Sequence, residues 1–122
     1  VYFYPKDDTP GCTKEAIDFS EKKSSFQKLN TNILGISKDS VEKHKKFKSK
    51  HNLKVDLASD DDGKICDTFG VWVEKSMYGK KYMGIERATF LFDENSVLIK
   101  VWRNVKVKNH VNEVLNFLEN LD

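Results

Sequence analysis

An α/β fold, a mixed central sheet flanked by helices, follows from two features of the sequence. Along residues 1–69, short β-branched or aromatic runs alternate with helix-length stretches, the order of strands joined by crossover helices. Runs at 88–93 and 97–102 then flank Glu94-Asn95-Ser96, a hairpin signal, so part of the sheet is antiparallel. The chain of 122 residues is read as one domain spanning 1–122, with one modest core.

Val1 to Tyr4 is aromatic and β-branched and is stopped by Pro5, which predicts a short central strand. Lys6 to Gly11 is turn chemistry. From Cys12 or Thr13 a helical pattern places Ala16, Phe19, Phe26 and Leu29 at spacings of three and seven, and Asn30-Thr31-Asn32 closes it. A second strand is predicted over 33–36. Ser40 then caps a helix from Val41 to about His51, and a third strand spans 55–58. Past Ser59 and Asp60-Asp61-Asp62-Gly63, a short helix carries Ile65, Cys66 and Phe69. The Lys, Gly and Tyr-rich stretch from about residue 74 to Glu86 shows no period and reads as a long loop. After the hairpin, an amphipathic helix over 111–121 presents Val111, Val114, Leu115, Leu118 and Leu121 on one face.

Composition excludes several classes of function. Lys plus Arg total 21 against 19 Asp plus Glu, a net charge of +2, which argues against a chain whose main task is to grip nucleic acid or acidic lipid. No apolar run approaches the length of a membrane span, and no signal segment is present, so a cytoplasmic location is expected. Two cysteines are too few for a disulfide-built scaffold, and both thiols are expected free in a reducing compartment.

Cys12 is the sharpest feature. It follows a strand and a Pro-bounded turn and stands at the start of a helix, where unpaired N–H groups and the helix dipole favour a thiolate over a thiol. An ordinary thiol is a few per cent ionised at neutral pH, so complete ionisation multiplies the reactive form only about thirty-fold. A catalytic site therefore needs groups that bind the reacting oxygen as well. The bland alternative is an inert small hydrophobe at a helix start. Thr9 stands at the near end of the same turn with a hydroxyl that both donates and accepts, and Pro5 sets the turn's entry.

Together Pro5, Thr9 and Cys12 spell P-x-x-x-T-x-x-C, which resembles the peroxidatic-cysteine motif of the peroxiredoxins. Tyr2 through Thr13 with Glu15 looks like the bacterioferritin-comigratory-protein (BCP, PrxQ) branch. Lys75 through Arg87, then Thr89-Phe90-Leu91, is similar to that branch's G-x-x-Y-x-G-I-x-R-x-T-F-L signature, and Trp102-Arg103, Val105-Lys106-Val107 and His110 fit its C-terminal pattern. The resemblance implies a thioredoxin-like fold. It also implies that the N-terminal hairpin and strand of the family are missing ahead of Val1.

The resemblance further implies a thiol-dependent peroxidase. Cys12 would attack a hydroperoxide and become a sulfenic acid. Thr9 would hydrogen-bond the peroxide, Arg87 would hold the thiolate and the developing oxygen charge, and Glu15 would orient Arg87. Without the resemblance, Arg87 reads as a salt-bridging strand residue. The branch often places a resolving cysteine where this chain has Ile17, so the short-range disulfide is lost. Cys66 is the other thiol, and its neighbours Ile65 and Phe69 point to packing. The expectation is a one-Cys cycle reduced by an external thiol such as thioredoxin, glutaredoxin or glutathione. The alternatives are a two-Cys cycle through Cys66 and an inactive thioredoxin-fold binding module.

Other patterns carry less. His44, His51 and His110 lack zinc-ligand spacing and read as solvated or hydrogen-bonded side chains. Aligning Gly63 with the glycine of a calcium loop puts Ala58 and Phe69 at ligand positions, so the match fails. Six lysines between Lys43 and Lys54 read as a solvated helix face, or as a docking surface for an acidic reductant. The expected protein uses no cofactor or metal, binds no nucleic acid or membrane, and is a monomer or weak dimer.

Overall fold

The computed structural model describes residues 1–121. Its centre is a five-stranded sheet. The strands are β1 (Tyr2–Phe3), β2 (Leu34–Ser37), β3 (Asp56–Ser59), β6 (Ala88–Phe92) and β7 (Leu98–Trp102), in the order β3-β2-β1-β6-β7. β1, β2 and β3 run parallel, whereas β6 is antiparallel to both β1 and β7. The mixed sheet predicted from element order is the one observed. β1 holds the middle, and its two residues, Tyr2 and Phe3, are buried together with Tyr4, which follows it. Fully burying Phe3 contributes roughly 1.5–3 kcal/mol.

Successive side chains of an extended chain point to opposite faces, and β1 with the following Tyr4 uses both. Tyr2 and Tyr4 enter one core with Phe19, Phe26, Phe47 and Val114, beneath α1 (Pro10–Glu21), α2 (Lys23–Lys28), α3 (Val41–His51) and α5 (His110–Glu119). Phe3 enters the other with Ile36, Cys66, Val71, Ile85 and Phe90, beneath α4 (Lys64–Thr68).

The first helix begins two residues earlier than its apolar pattern predicts. Pro10 occupies the first turn, where its missing N–H costs nothing and its fixed φ suits the helix. Thr9 becomes the N-cap residue, and Cys12 lies inside the first turn. A one-residue break at Lys22 separates α1 from α2. The spacing could not reveal it, because Phe19 and Phe26 share a face across the break, with ring centroids 5.9 Å apart. Ser40 caps α3 as expected, its hydroxyl accepting from Lys43 N at 3.2 Å. Asp60 has a comparable role at α4: its carboxylate accepts from Ile65 N and Cys66 N.

The long loop expected after residue 73 is instead an antiparallel hairpin, β4 (Trp72–Met77) and β5 (Lys80–Ile85). Tyr78 and Gly79 turn it, with φ of 52° and 79°, the left-handed pair that the twist of a two-residue hairpin loop requires. Most of its side chains are exposed on both faces, so no apolar alternation marks it. The last helix ends at Glu119, and Leu121, expected on its apolar face, lies beyond it and is exposed. No helix among the described residues is long and apolar enough to cross a membrane.

Candidate active site

The site forms where the first turn of α1 meets the link between β5 and β6. Cys12 is almost wholly buried, and the Arg87 guanidinium reaches it: Nη2 donates to Cys12 Sγ at 3.4 Å. The other terminal nitrogen, Nη1, donates to Glu15 Oε1 at 2.7 Å. One planar fork thus ties together two groups a single helical turn apart, with a fixed geometry that a lysine does not have. Gly11 leaves room for the approach, since a Cβ there would stand a tight 3.2 Å from Arg87 Nη2. The Arg87 carbonyl accepts from Val105 N at 2.9 Å, which fixes the backbone from which the side chain reaches.

Glu15 is fully buried, and its second oxygen, Oε2, has no hydrogen-bond partner among the described residues. Burial pushes its carboxyl up to about 7, against the opposing pull of the Arg87 charge and hydrogen bond. Arg87 and Pro5 also help line an open cleft of about 490 Å³, together with Val73, Lys75, Glu86 and Asn104. Glu86 is occupied there by a two-pronged pair with Arg103 at 2.9 and 3.0 Å and by Asn104 N at 2.8 Å.

Thr9 makes no hydrogen bond to the sulfur among the described residues. Its hydroxyl donates to Lys6 O at 2.8 Å, leaving its lone pairs free to accept. The turn holding it is anchored from below. Tyr4 OH donates to Asp7 Oδ1 at 2.6 Å, His44 Nδ1 lies 2.7 Å from Asp7 Oδ2, and His44 Nε2 lies 3.0 Å from Ala58 O. Burial works against the His44 cation, but the Asp7 carboxylate and the Ala58 carbonyl outweigh it and raise its pKa. With an acceptor at each ring nitrogen, the surroundings of His44 favour its protonated form.

The structure therefore brings Cys12, Glu15 and Arg87 together, with Pro5 in the cleft wall and Thr9 at the helix entrance. Cys66 is not part of this group. It is buried in the other core, across the sheet, and burial followed by its Asp60 partner pushes its thiol up to about 12. Sequence reasoning missed Lys75, because the hairpin that carries it into the cleft was read as loop. It also missed the Asp7–His44 pair, which has no local signal: the partners come from a turn and a distant helix.

The AhpC/TSA family model matches residues 1–101. The chain belongs to the AhpC/TSA family of peroxiredoxins. This peroxiredoxin is 55% identical over 121 residues to the peroxiredoxin Bcp of Bacillus subtilis, covering 99% of this chain and 77% of that protein. It is 46% identical to the bacterioferritin comigratory protein of Xanthomonas campestris, whose structures address its alkyl peroxide reduction activity. That match covers 97% of this chain and 75% of the other, with a TM-score of 0.91. Peroxidoxin BcpB of Mycobacterium tuberculosis is 32% identical, with a TM-score of 0.85 and coverage of 99% and 77%.

The peroxiredoxin thus has the thioredoxin-like fold and lies in the BCP/PrxQ branch. It is a thiol-dependent peroxidase, which uses a hydroperoxide as substrate and a thiol as reductant. The inactive binding-module reading falls with that assignment.

Proposed function

We propose that this peroxiredoxin reduces hydrogen peroxide and organic hydroperoxides through Cys12, in a one-Cys cycle closed by an external thiol. The observation that carries the reading is the Arg87 fork, one nitrogen on Cys12 Sγ and the other on Glu15. The thiolate of Cys12 attacks the terminal oxygen of the hydroperoxide. An S–O bond forms, the O–O bond breaks, and the leaving oxygen takes a proton to become water or an alcohol. Two electrons pass from sulfur to the peroxide, and Cys12 becomes a sulfenic acid.

Arg87 supports both ends of that step, because a guanidinium beside the sulfur also faces the negative charge that grows on the oxygens. Glu15 holds the guanidinium in place. Thr9, whose hydroxyl proton is already donated to Lys6 O, accepts a hydrogen bond from the O–H of the incoming hydroperoxide. Pro5 presents no N–H that would compete for the substrate. An external thiol then attacks the sulfenic sulfur, releasing water and leaving a mixed disulfide, and a second thiol frees Cys12.

The one-Cys form is supported by Cys66 lying in the opposite core with its thiol held protonated. The alkyl peroxide activity of the Xanthomonas campestris relative favours including organic hydroperoxides. The test is the protein's mass after one equivalent of peroxide, with and without dimedone. A dimedone adduct on Cys12, and no peroxide consumption by Cys12→Ser, is expected. A Cys12–Cys66 disulfide as the first product would overturn the one-Cys cycle, and full activity of Cys12→Ser would overturn the nucleophile.

A further inference from the structure

We propose that the lysine stripe of α3, joined by Lys6 of the turn before Cys12, is the docking surface for an acidic protein thiol reductant. The proposal rests on the external-thiol cycle and names the kind of partner that closes it. α3 carries five lysines and one acidic residue, Glu42. Lys43, Lys46 and Lys50 recur at i, i+3 and i+7, so they form one row along the helix, beside its buried residues His44 and Phe47.

That row is strapped to the turn between Pro5 and Thr9. Asp8 pairs at 2.7 Å with both Lys50 and His51, Asp7 pairs with His44, and Asp7 N donates to Asp39 at 2.8 Å. Lys6, Lys43 and Lys46 border a shallow depression of about 220 Å³ floored in part by Phe47. Three carboxylates also line it, and all are engaged within the protein: Asp7 by Tyr4 and His44, Asp8 by Lys50 and His51, and Asp39 by Ser37 and the Asp7 amide. Lys6, Lys43 and Lys46 have no ion-pair partner among the described residues.

The result is an outward-facing positive patch attached to the loop that leads into Cys12. Individually, exposed lysines contribute little to stability. Several of one sign at a docking site act instead on association: they steer an oppositely charged partner and set the salt dependence of its on-rate. Reduction of a sulfenic acid by a protein thiol is bimolecular, so it is the step such a field accelerates. Hydrogen peroxide and small neutral thiols carry no charge for the patch to steer.

The test measures second-order rates of reduction of the peroxide-oxidised protein by a thioredoxin of net negative charge and by dithiothreitol, at about 20 mM and about 200 mM salt. In the wild type the thioredoxin rate should fall about tenfold across that range, and the dithiothreitol rate should stay flat. The double variant Lys43→Glu, Lys46→Glu should lose about tenfold with thioredoxin at low salt and lose the salt dependence, with dithiothreitol reduction and peroxide oxidation changed less than about twofold. Glu at 43 completes a capping box with Ser40, which favours folding, and Lys43→Gln, Lys46→Gln supplies a neutral control. Unchanged thioredoxin kinetics, or equal slowing with dithiothreitol, would overturn the docking surface. Absence of the dimedone-trappable sulfenic acid would instead overturn the cycle on which it rests.

Discussion

Cys12 and Cys66 are buried on opposite faces of one five-stranded sheet, each in its own hydrophobic core. A disulfide needs the two Cα atoms within about 7 Å, a separation that a sheet between them forbids without large rearrangement. With its thiol pushed up to about 12, Cys66 also lacks the thiolate that would attack a sulfenic acid at neutral pH. Cys66→Ser is therefore expected to keep peroxide turnover with an external thiol within about twofold of wild type, and wild-type Cys66 to resist iodoacetamide in the folded state. Loss of turnover in a variant that still folds would restore the two-Cys cycle.

Arg87→Lys keeps the charge but not the fork. A lysine is shorter and has no rigid planar pair of nitrogens to hold the contacts at 2.7 and 3.4 Å together, so their geometry is loosened. Removing a donor aimed at developing charge costs about 100-fold or more in rate. The expected outcome is a drop of that order in the rate of sulfenic acid formation, together with slower alkylation of Cys12 at pH 7. Stopped-flow peroxide oxidation measures the first and timed iodoacetamide labelling the second. Wild-type rates in both would remove Arg87 from the site.

Glu15 makes stability depend on pH in a defined direction. Its folded pKa of about 7 lies above the usual glutamate value of 4.5. As pH rises from 4.5 the unfolded chain releases this proton before the folded one does, so folding loses stability until about pH 7 and no further. The loss is on the order of 3 kcal/mol. Glu15→Gln removes this titration, so its urea midpoint should change less between pH 5 and pH 8 than that of the wild type. Parallel midpoints for the two proteins would contradict the assignment.

His44 adds a second window with the same sign. Its folded pKa is raised, so its contribution is fully present below about pH 6.5 and fades as pH rises through the folded value. In His44→Asn the decline of stability above pH 6.5 should be shallower, as read from thermal midpoints. An identical decline would show that the Asp7–His44 pair is not charged.

Gly79 tests the hairpin. An alanine at its φ of 79° costs about 1 kcal/mol, although nothing lies within 4 Å of the added Cβ. The effect should be local: amide exchange across β4 and β5 speeds about fivefold, and the global unfolding midpoint barely moves. A global loss instead would make the hairpin part of the cooperative core.

How much was legible varied with how local the signal was. The strand at Val1–Tyr4, the Ser40 cap and the second hairpin could all be read, because each is marked by propensity or turn residues within a few positions. The β4–β5 hairpin could not, since alternation marks a strand only when one face is buried, and most of its residues face solvent on both. The helix start was displaced for a related reason: apolar periodicity reports the buried face, which begins at Cys12, whereas the backbone helix begins at Pro10.

By itself the sequence determined the α/β class, the mixed sheet, the helix that starts beside Cys12 and the family motif running through Pro5, Thr9 and Cys12. These depend on the pattern of side chains along the chain. Only the tertiary structure decided that Arg87 spans Cys12 and Glu15, that Asp7 and His44 pair beneath the turn, and that the two cysteines lie in separate cores. Each is a contact between segments tens of residues apart, where hydrogen-bond reach and burial depend on how the sheet stacks its neighbours, and no local spacing encodes that.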